Sequence, residues 1–269
     1  MRPLVMGILN VTPDSFSDGG RWLDPDAAVA HGLEMVDEGA DVVDVGGEST
    51  RPGAEPVPED EEVRRVLPVI EALAPHVRVS IDTRRRGVAE QAVAAGATLV
   101  NDVSASLWPV AAEAAAAGVG VGWVAMHMRG EPRTMQAAPE YGDVVAEVRA
   151  FLVERAAMAR EAGVEEVWID PGIGFGKTAA HNLALLRGMR SLANTGWPVV
   201  VGTSRKTFLG TVTAEPGQSR PDADDRLEAS LASAVWAMDQ GAAMVRVHDV
   251  RPTVQAVRLM SMADAGAGS

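Results

Sequence analysis

Three hydrogen-bond acceptors, Asp82, Asn101 and Asp170, stand at or near the ends of short apolar runs, in VRVSID, TLVND and EVWID. Brought to one place, they suit a ligand edge rich in N–H donors, such as a guanidine-like or aminopyrimidine ring. The cations lie elsewhere. Arg246 and His248 are two residues apart in MVRVHD, so on an extended strand their side chains leave on the same face. Lys206 sits in GTSRKTFLG. Such a set suits phosphate. The competing readings are ordinary ones: a helix N-cap for Asp82 or Asp170, and a satisfied core position for His248. The other histidines, His31, His76, His127 and His181, have no metal-ligand spacing.

The stretch DPGIGFGKT, residues 170 to 178, resembles a phosphate-binding loop, but Pro171 occupies the position where that loop needs its first glycine. A different use for its glycines is required.

The elements that must carry these residues follow a simple rhythm. Eight short apolar runs, LVMGILN (4 to 10), DVVDVG (41 to 46), VRVSID (77 to 82), TLVND (98 to 102), GVGWVAMH (120 to 127), EVWID (166 to 170), PVVVGTS (198 to 204) and MVRVHD (244 to 249), predict strands. Between them lie helical patterns at about 25–39, 58–74, 84–95, 109–117, 142–162, 179–194, 224–240 and 251–262, several ending at a glycine suited to the left-handed conformation. Near-continuous apolar strands alternating with helices imply a parallel sheet covered on both faces. Eight units predict an α/β fold, a closed (β/α)8 TIM barrel forming one domain over 1–269, with 263–269 a disordered tail; an open doubly wound sheet is the alternative. In a barrel the C-terminal strand ends open onto the active site. Here those ends are polar throughout: Asn10, the segment 46–50, Asp82, Asn101 with Asp102, His127, Asp170, Ser204, and His248 with Asp249. Three long loops rich in Gly and Pro, 10–20, 46–60 and 127–142, are candidate lids.

Composition narrows the partners. Lys and Arg total 24 against 37 Asp and Glu, a net charge of −13 that disfavours nucleic acid and anionic membranes. No apolar run reaches transmembrane length, and the amino-terminal stretch reads directly into a strand, so the expected location is cytoplasmic. The absence of cysteine excludes disulfides, thiolate metal sites and cysteine nucleophiles.

The segments MGILNVTPDSFSDGG, DVGGESTRPGA, IDT, NDVS, DPGIGFGKT, GTSRKTFLG and VRVHDV, in this order at successive strand ends, closely resemble the dihydropteroate synthase family over nearly the whole chain. The resemblance implies a pterin-binding barrel of folate biosynthesis, the target class of sulfonamides and usually a homodimer. Its reaction joins p-aminobenzoate to 6-hydroxymethyl-7,8-dihydropterin diphosphate, releasing pyrophosphate with Mg²⁺, by a dissociative (SN1-like) substitution. It implies that Asp82, Asn101 and Asp170 hold the pterin's amino group and ring N–H donors, that Lys206 bonds its carbonyl and ring nitrogen, and that Arg246 lies against its face and reaches the diphosphate. Asn10 and His248 are the remaining diphosphate contacts, Asn10 also the Mg²⁺ ligand. Thr50, Arg51 and Pro52, with Phe16 and Asp18, close over p-aminobenzoate, whose carboxylate meets Thr207 at a helix start. In DPGIGFGKT, Phe175 forms an apolar wall and Lys177 faces solvent or caps the next helix. The expected catalytic set is Asp82, Lys206, Arg246, His248 and Asp18.

Two departures from the family pattern stand out: NDVSASLW has Ala105 and Ser106 where glycines are usual, which puts that loop's shape in question, and Thr207 replaces a common serine. A pterin barrel that transfers a methyl group would share Asp82, Asn101 and Asp170, but has no reason to keep Asn10, Arg246, His248 and the TPDSFSDGG loop. An inactive binding paralogue would be expected to lose loop residues that are all present here. A purely structural barrel would not need polar strand ends.

Overall fold

The computed structural model describes residues 2–12, 25–49, 56–131 and 134–266. Phe16, Asp18, Thr50, Arg51 and Pro52 therefore lie outside the described residues. Eight strands, β1 (Leu4–Asn10), β2 (Val42–Gly46), β3 (Arg78–Thr83), β4 (Leu99–Asp102), β5 (Gly122–Met126), β6 (Val167–Asp170), β7 (Val200–Val201) and β8 (Met244–Val247), pair in parallel in the order β6-β5-β4-β3-β2-β1-β8-β7. The two ends of that order meet. Ile169 bridges Val199 and its amide donates to Pro198 O at 3.0 Å, so the sheet closes on itself. The open doubly wound alternative is excluded by that closure.

The helices are α1 (Pro25–Glu38), α2 (Glu59–Leu73), α3 (Arg86–Ala94), α4 (Trp108–Ala116), α5 (Val144–Glu161), α6 (Ala179–Arg187), α7 (Met189–Ala193), α8 (Thr207–Thr213), α9 (Leu227–Asp239) and α10 (Val250–Gly266). The pattern at 179–194 is two helices, broken at Gly188. The helix α10 continues through 263–266, and 267–269 lie outside the described residues. The predicted strand 198–204 shrinks to two residues, because Gly202 onward turns away towards α8.

The period-two alternation of strands sorts their side chains into two cores. One face packs against the helices: Val5, Leu9, Val43, Val45, Ile81 and Ile169 are fully buried there among helical residues such as Met35, Ile70 and Leu73. The other face fills the barrel with a separate cluster, Met6, Val42, Leu99, Val124, Trp168, Val200 and Met244. This apolar plug stops short of the C-terminal strand ends. Above it the same face turns polar. Register aligns Asn10 with Gly46, Gly46 with Asp82, and Asp82 with Asn101 across four adjacent strands, so residues remote in sequence reach one rim.

Candidate active site

A cavity of about 770 Å³ opens at that rim, lined among others by Asn10, Asp82, Phe175, Lys206, Thr207, Arg246 and His248. Its floor is built around one guanidinium. Arg246 Nε donates to Asp44 Oδ2 and its Nη2 to Asp82 Oδ2, each at 2.6 Å. Asn101 Nδ2 donates to the same Asp44 oxygen at 2.9 Å. Asp44 is fully buried. The second oxygens of Asp44 and Asp82 are buried and have no hydrogen-bond partner among the described residues.

The charges shift one another accordingly. Burial pushes the Asp82 carboxyl above the ordinary aspartate range; Arg246 opposes this and the charge of Asp44 adds to it. Burial works against the charge of Arg246, but Asp44 and Asp82 together raise its pKa above the usual arginine value. One cation between two carboxylates leaves the floor with one excess negative charge when Asp82, whose pKa is pushed up to about 7, is ionised.

Lys206 closes one wall. Its ammonium donates to Ile173 O and stands 4.8 Å from the Phe175 ring centroid, a cation–π distance. Burial lowers its pKa to about 8, with Asp170 opposing. Asp170 is raised by burial, opposed first by Lys206. The ring of His248 is set by Ser204 Oγ, 3.0 Å from Nδ1. Between these residues Arg205 adopts φ of +57°, rare for a side-chain-bearing residue. It is held there by the donation of its Nη2 to Asp249 Oδ1 at 2.6 Å, and by the acceptance of Arg226 Nη1 by its carbonyl at 2.8 Å.

The pterin-binding enzyme family matches residues 6–248. The dihydropteroate synthase of Mycobacterium leprae is 50% identical over 262 residues, which cover 95% of this chain and 92% of that one. Among solved structures, Xanthomonas albilineans dihydropteroate synthase with 4-aminobenzoic acid is 46% identical with a TM-score of 0.87, over 98% of this chain and 94% of that chain. The same organism's enzyme with 7,8-dihydropteroate is 44% identical with a TM-score of 0.84, at the same coverage. The chain belongs to the dihydropteroate synthase family.

Set against the site expected of a dihydropteroate synthase, three placements differ from the sequence reading. Asp82, Lys206 and Arg246 line the common cavity, but Asn101 and Asp170 are only 5% and 6% exposed and are not part of its lining. Asn101 turns its amide nitrogen to Asp44, so it acts there as a donor, and Asp170 Oδ1 takes the Gly172 amide at 2.7 Å. Lys177 neither faces solvent nor caps a helix: it is 2% exposed, because four acceptors enclose its ammonium. The cap of α6 is Thr178, whose hydroxyl accepts from the His181 amide.

Asp44 escaped the sequence reading. Its signal was present: an aspartate inside the apolar run DVVDVG, two residues before Gly46 and so on the same face, can be buried only if paired. Glu62, fully buried beside Arg85 and Thr83, had no such signal, because it lies in the acidic stretch EDEE. Burial raises its pKa, opposed by Thr83 and Arg85. Arg85 also reaches Glu48 at 2.6 Å, tying the base of the 46–60 segment to β3. The NDVSASLW loop resolves the question of its missing glycines. Ala105 itself takes φ of +51°. Asp102 holds the loop by accepting from the amides of Ser104, Ser106 and Leu107 and from the Trp123 indole.

Proposed function

We propose that this barrel carries out the reaction of its family, joining p-aminobenzoate to 6-hydroxymethyl-7,8-dihydropterin diphosphate with release of pyrophosphate. The observation that carries the reading is the forked Arg246: a single cation held between two buried carboxylates, each with an oxygen unpartnered among the described residues, at the floor of a cavity walled by Lys206 and Phe175.

The pterin's amino group and ring N–H donors meet Asp82 and Asp170, with Asn101 steering Asp44, while Lys206 donates to the pterin carbonyl and ring nitrogen and Phe175 covers one face. The bond from the pterin methylene carbon to the diphosphate oxygen breaks first, its electron pair leaving with pyrophosphate. Positive charge then spreads over the pterin, above a floor that ionised Asp82 makes net negative. The p-aminobenzoate nitrogen attacks the carbon and loses its proton afterwards, so no strong base is required. Preorganised charge of this kind is worth about 3–4 kcal/mol for a single well-placed group. Asp18, expected in the same catalytic set, lies outside the described residues.

Arg246 and His248 receive the departing diphosphate. Thr207, at the start of α8, offers its hydroxyl and amide to the p-aminobenzoate carboxylate; the helix has no side-chain cap competing for that position. Phe16, Thr50, Arg51 and Pro52, which the family resemblance assigns to p-aminobenzoate, lie outside the described residues.

Mg²⁺ fits this donor set. Among the described residues no group of three His, Asp or Glu could hold a metal, but Asn10 presents an oxygen donor at the cavity wall, and Mg²⁺ commonly keeps several waters and takes other ligands from a bound diphosphate. Held by Asn10, the ion would neutralise charge on the leaving group. We further propose a cytoplasmic homodimer. Its support is the family resemblance together with exposed Val212, Leu227, Trp236, Leu259 and Met262 on α8, α9 and α10.

The test mixes purified protein with dihydropterin diphosphate, Mg²⁺ and p-aminobenzoate and measures pyrophosphate. Release that requires p-aminobenzoate, and that chelation of Mg²⁺ abolishes, is the expected result. No pyrophosphate above the control lacking protein would overturn the reading.

A further inference from the structure

The loop 170–178 does the reverse of a phosphate-binding loop. There, backbone N–H groups converge on an anion. Here backbone carbonyls converge on a cation that the chain itself supplies. Lys177 Nζ lies 2.9 Å from Gly172 O, 3.0 Å from Phe175 O, 3.2 Å from His127 O and 3.0 Å from His127 Nδ1. An ammonium has three donors, so these four acceptors engage all of them, and His127 must present a bare Nδ1. Burial keeps the ring neutral by pushing the His127 pKa down to about 3, helped by the charge of Lys177.

The glycines make this geometry possible. Gly172, Gly174 and Gly176 have φ of +63°, +86° and +63°. A Cβ on Gly172 would lie 1.9 Å from His127 O, and one on Gly176 would lie 2.2 Å from Arg129 O. The loop is therefore pressed against the segment that follows β5, with the ammonium between them.

Lys177 itself borders the cavity, and the loop delivers further groups to it. Ile173 O accepts from Lys206, and the Phe175 ring faces the same ammonium. Asp170 begins the loop. The groups assigned to p-aminobenzoate sit on other segments.

We propose that Lys177 is a positioning residue for the reaction, its buried ammonium templating the 170–178 loop so that Asp170, Phe175 and Ile173 O, and through the last of these Lys206, stand where the pterin requires them. The inference rests on reading the cavity as the pterin site.

Replacing Lys177 by Met keeps most of the stem and removes the donors. For Lys177→Met the dihydropterin diphosphate Kd, measured by calorimetry, is expected to rise at least tenfold, while KM for p-aminobenzoate at saturating pterin substrate stays within twofold of the parent value. Unchanged pterin affinity, or equal losses for both substrates, would overturn the proposal. His127→Leu removes one acceptor and leaves the ammonium. It is expected to weaken pterin binding about threefold without moving KM for p-aminobenzoate, and it carries the test should Lys177→Met fail to fold. A parent that releases no pyrophosphate defeats the pterin reading itself; an active parent with an indifferent Lys177→Met defeats only this inference.

Discussion

Arg246 cannot release its proton in any accessible pH range, so its two carboxylate partners divide one fixed charge between them. The consequence is a site whose charge turns on the ionisation of Asp82. Asp82, the partner that lines the cavity, is the one able to respond to charge appearing on the pterin. Asp82→Asn keeps shape and burial but removes that charge, and turnover is expected to fall by about 10²–10³-fold with an unchanged thermal midpoint; kcat and a melting curve check it. Asp44 acts on Asp82 from beneath. Its negative charge raises the Asp82 pKa, so removing it lets Asp82 lose its proton at lower pH. In Asp44→Asn the acid limb of the kcat/KM profile is therefore expected to move to lower pH, a direction opposite to that produced by weakening Arg246. A full pH–rate profile of the variant distinguishes the two.

At the scale of elements, the site depends on connections more than on strands. The β6–α6 connection holds three left-handed glycines and one buried lysine, and the β7–α8 connection holds Arg205 at positive φ through Asp249 and Arg226. Both impose conformations that local preference resists, and each is secured by charged groups from other elements. Gly172→Ala combines a disfavoured φ with a Cβ driven into His127 O. Its expected cost is more than about 2 kcal/mol, read as a lowered denaturation midpoint with pterin affinity lost alongside. Gly118→Ala offers the comparison: φ is +78°, yet nothing lies within 4 Å of the added methyl, so the backbone term acts alone and the loss is smaller.

Over the whole molecule, the barrel is unevenly closed. β1, β2 and β3 pair over four to five registered positions each, whereas β7 contributes two residues and meets β6 at a single bridge. The seam lies directly below the connections that carry Asp170 and Lys206. Local opening starts where few backbone hydrogen bonds must break. Amide exchange is thus expected to be faster along β6–β7, at Ile169 in particular, than at Ile8 or Val43 in the β1–β2 pair. Uniform protection around the barrel would contradict this.

The sequence by itself determined the alternation of eight strands with helices, the polar residues at the strand ends, and the family, because period-two and helical patterns and contiguous motifs are written locally. LVMGILN was legible to the residue as β1. It did not determine which charges neutralise which. That Asp44 and Asp82 share Arg246, 202 and 164 positions away, follows from strand register and closure. Glu62 and Lys177 have ordinary surface composition around them and are buried only because a distant segment supplies their partners. Burial and pairing of charge are properties of assembled surfaces, so the tertiary structure alone decided them, and with them the arrangement of the site.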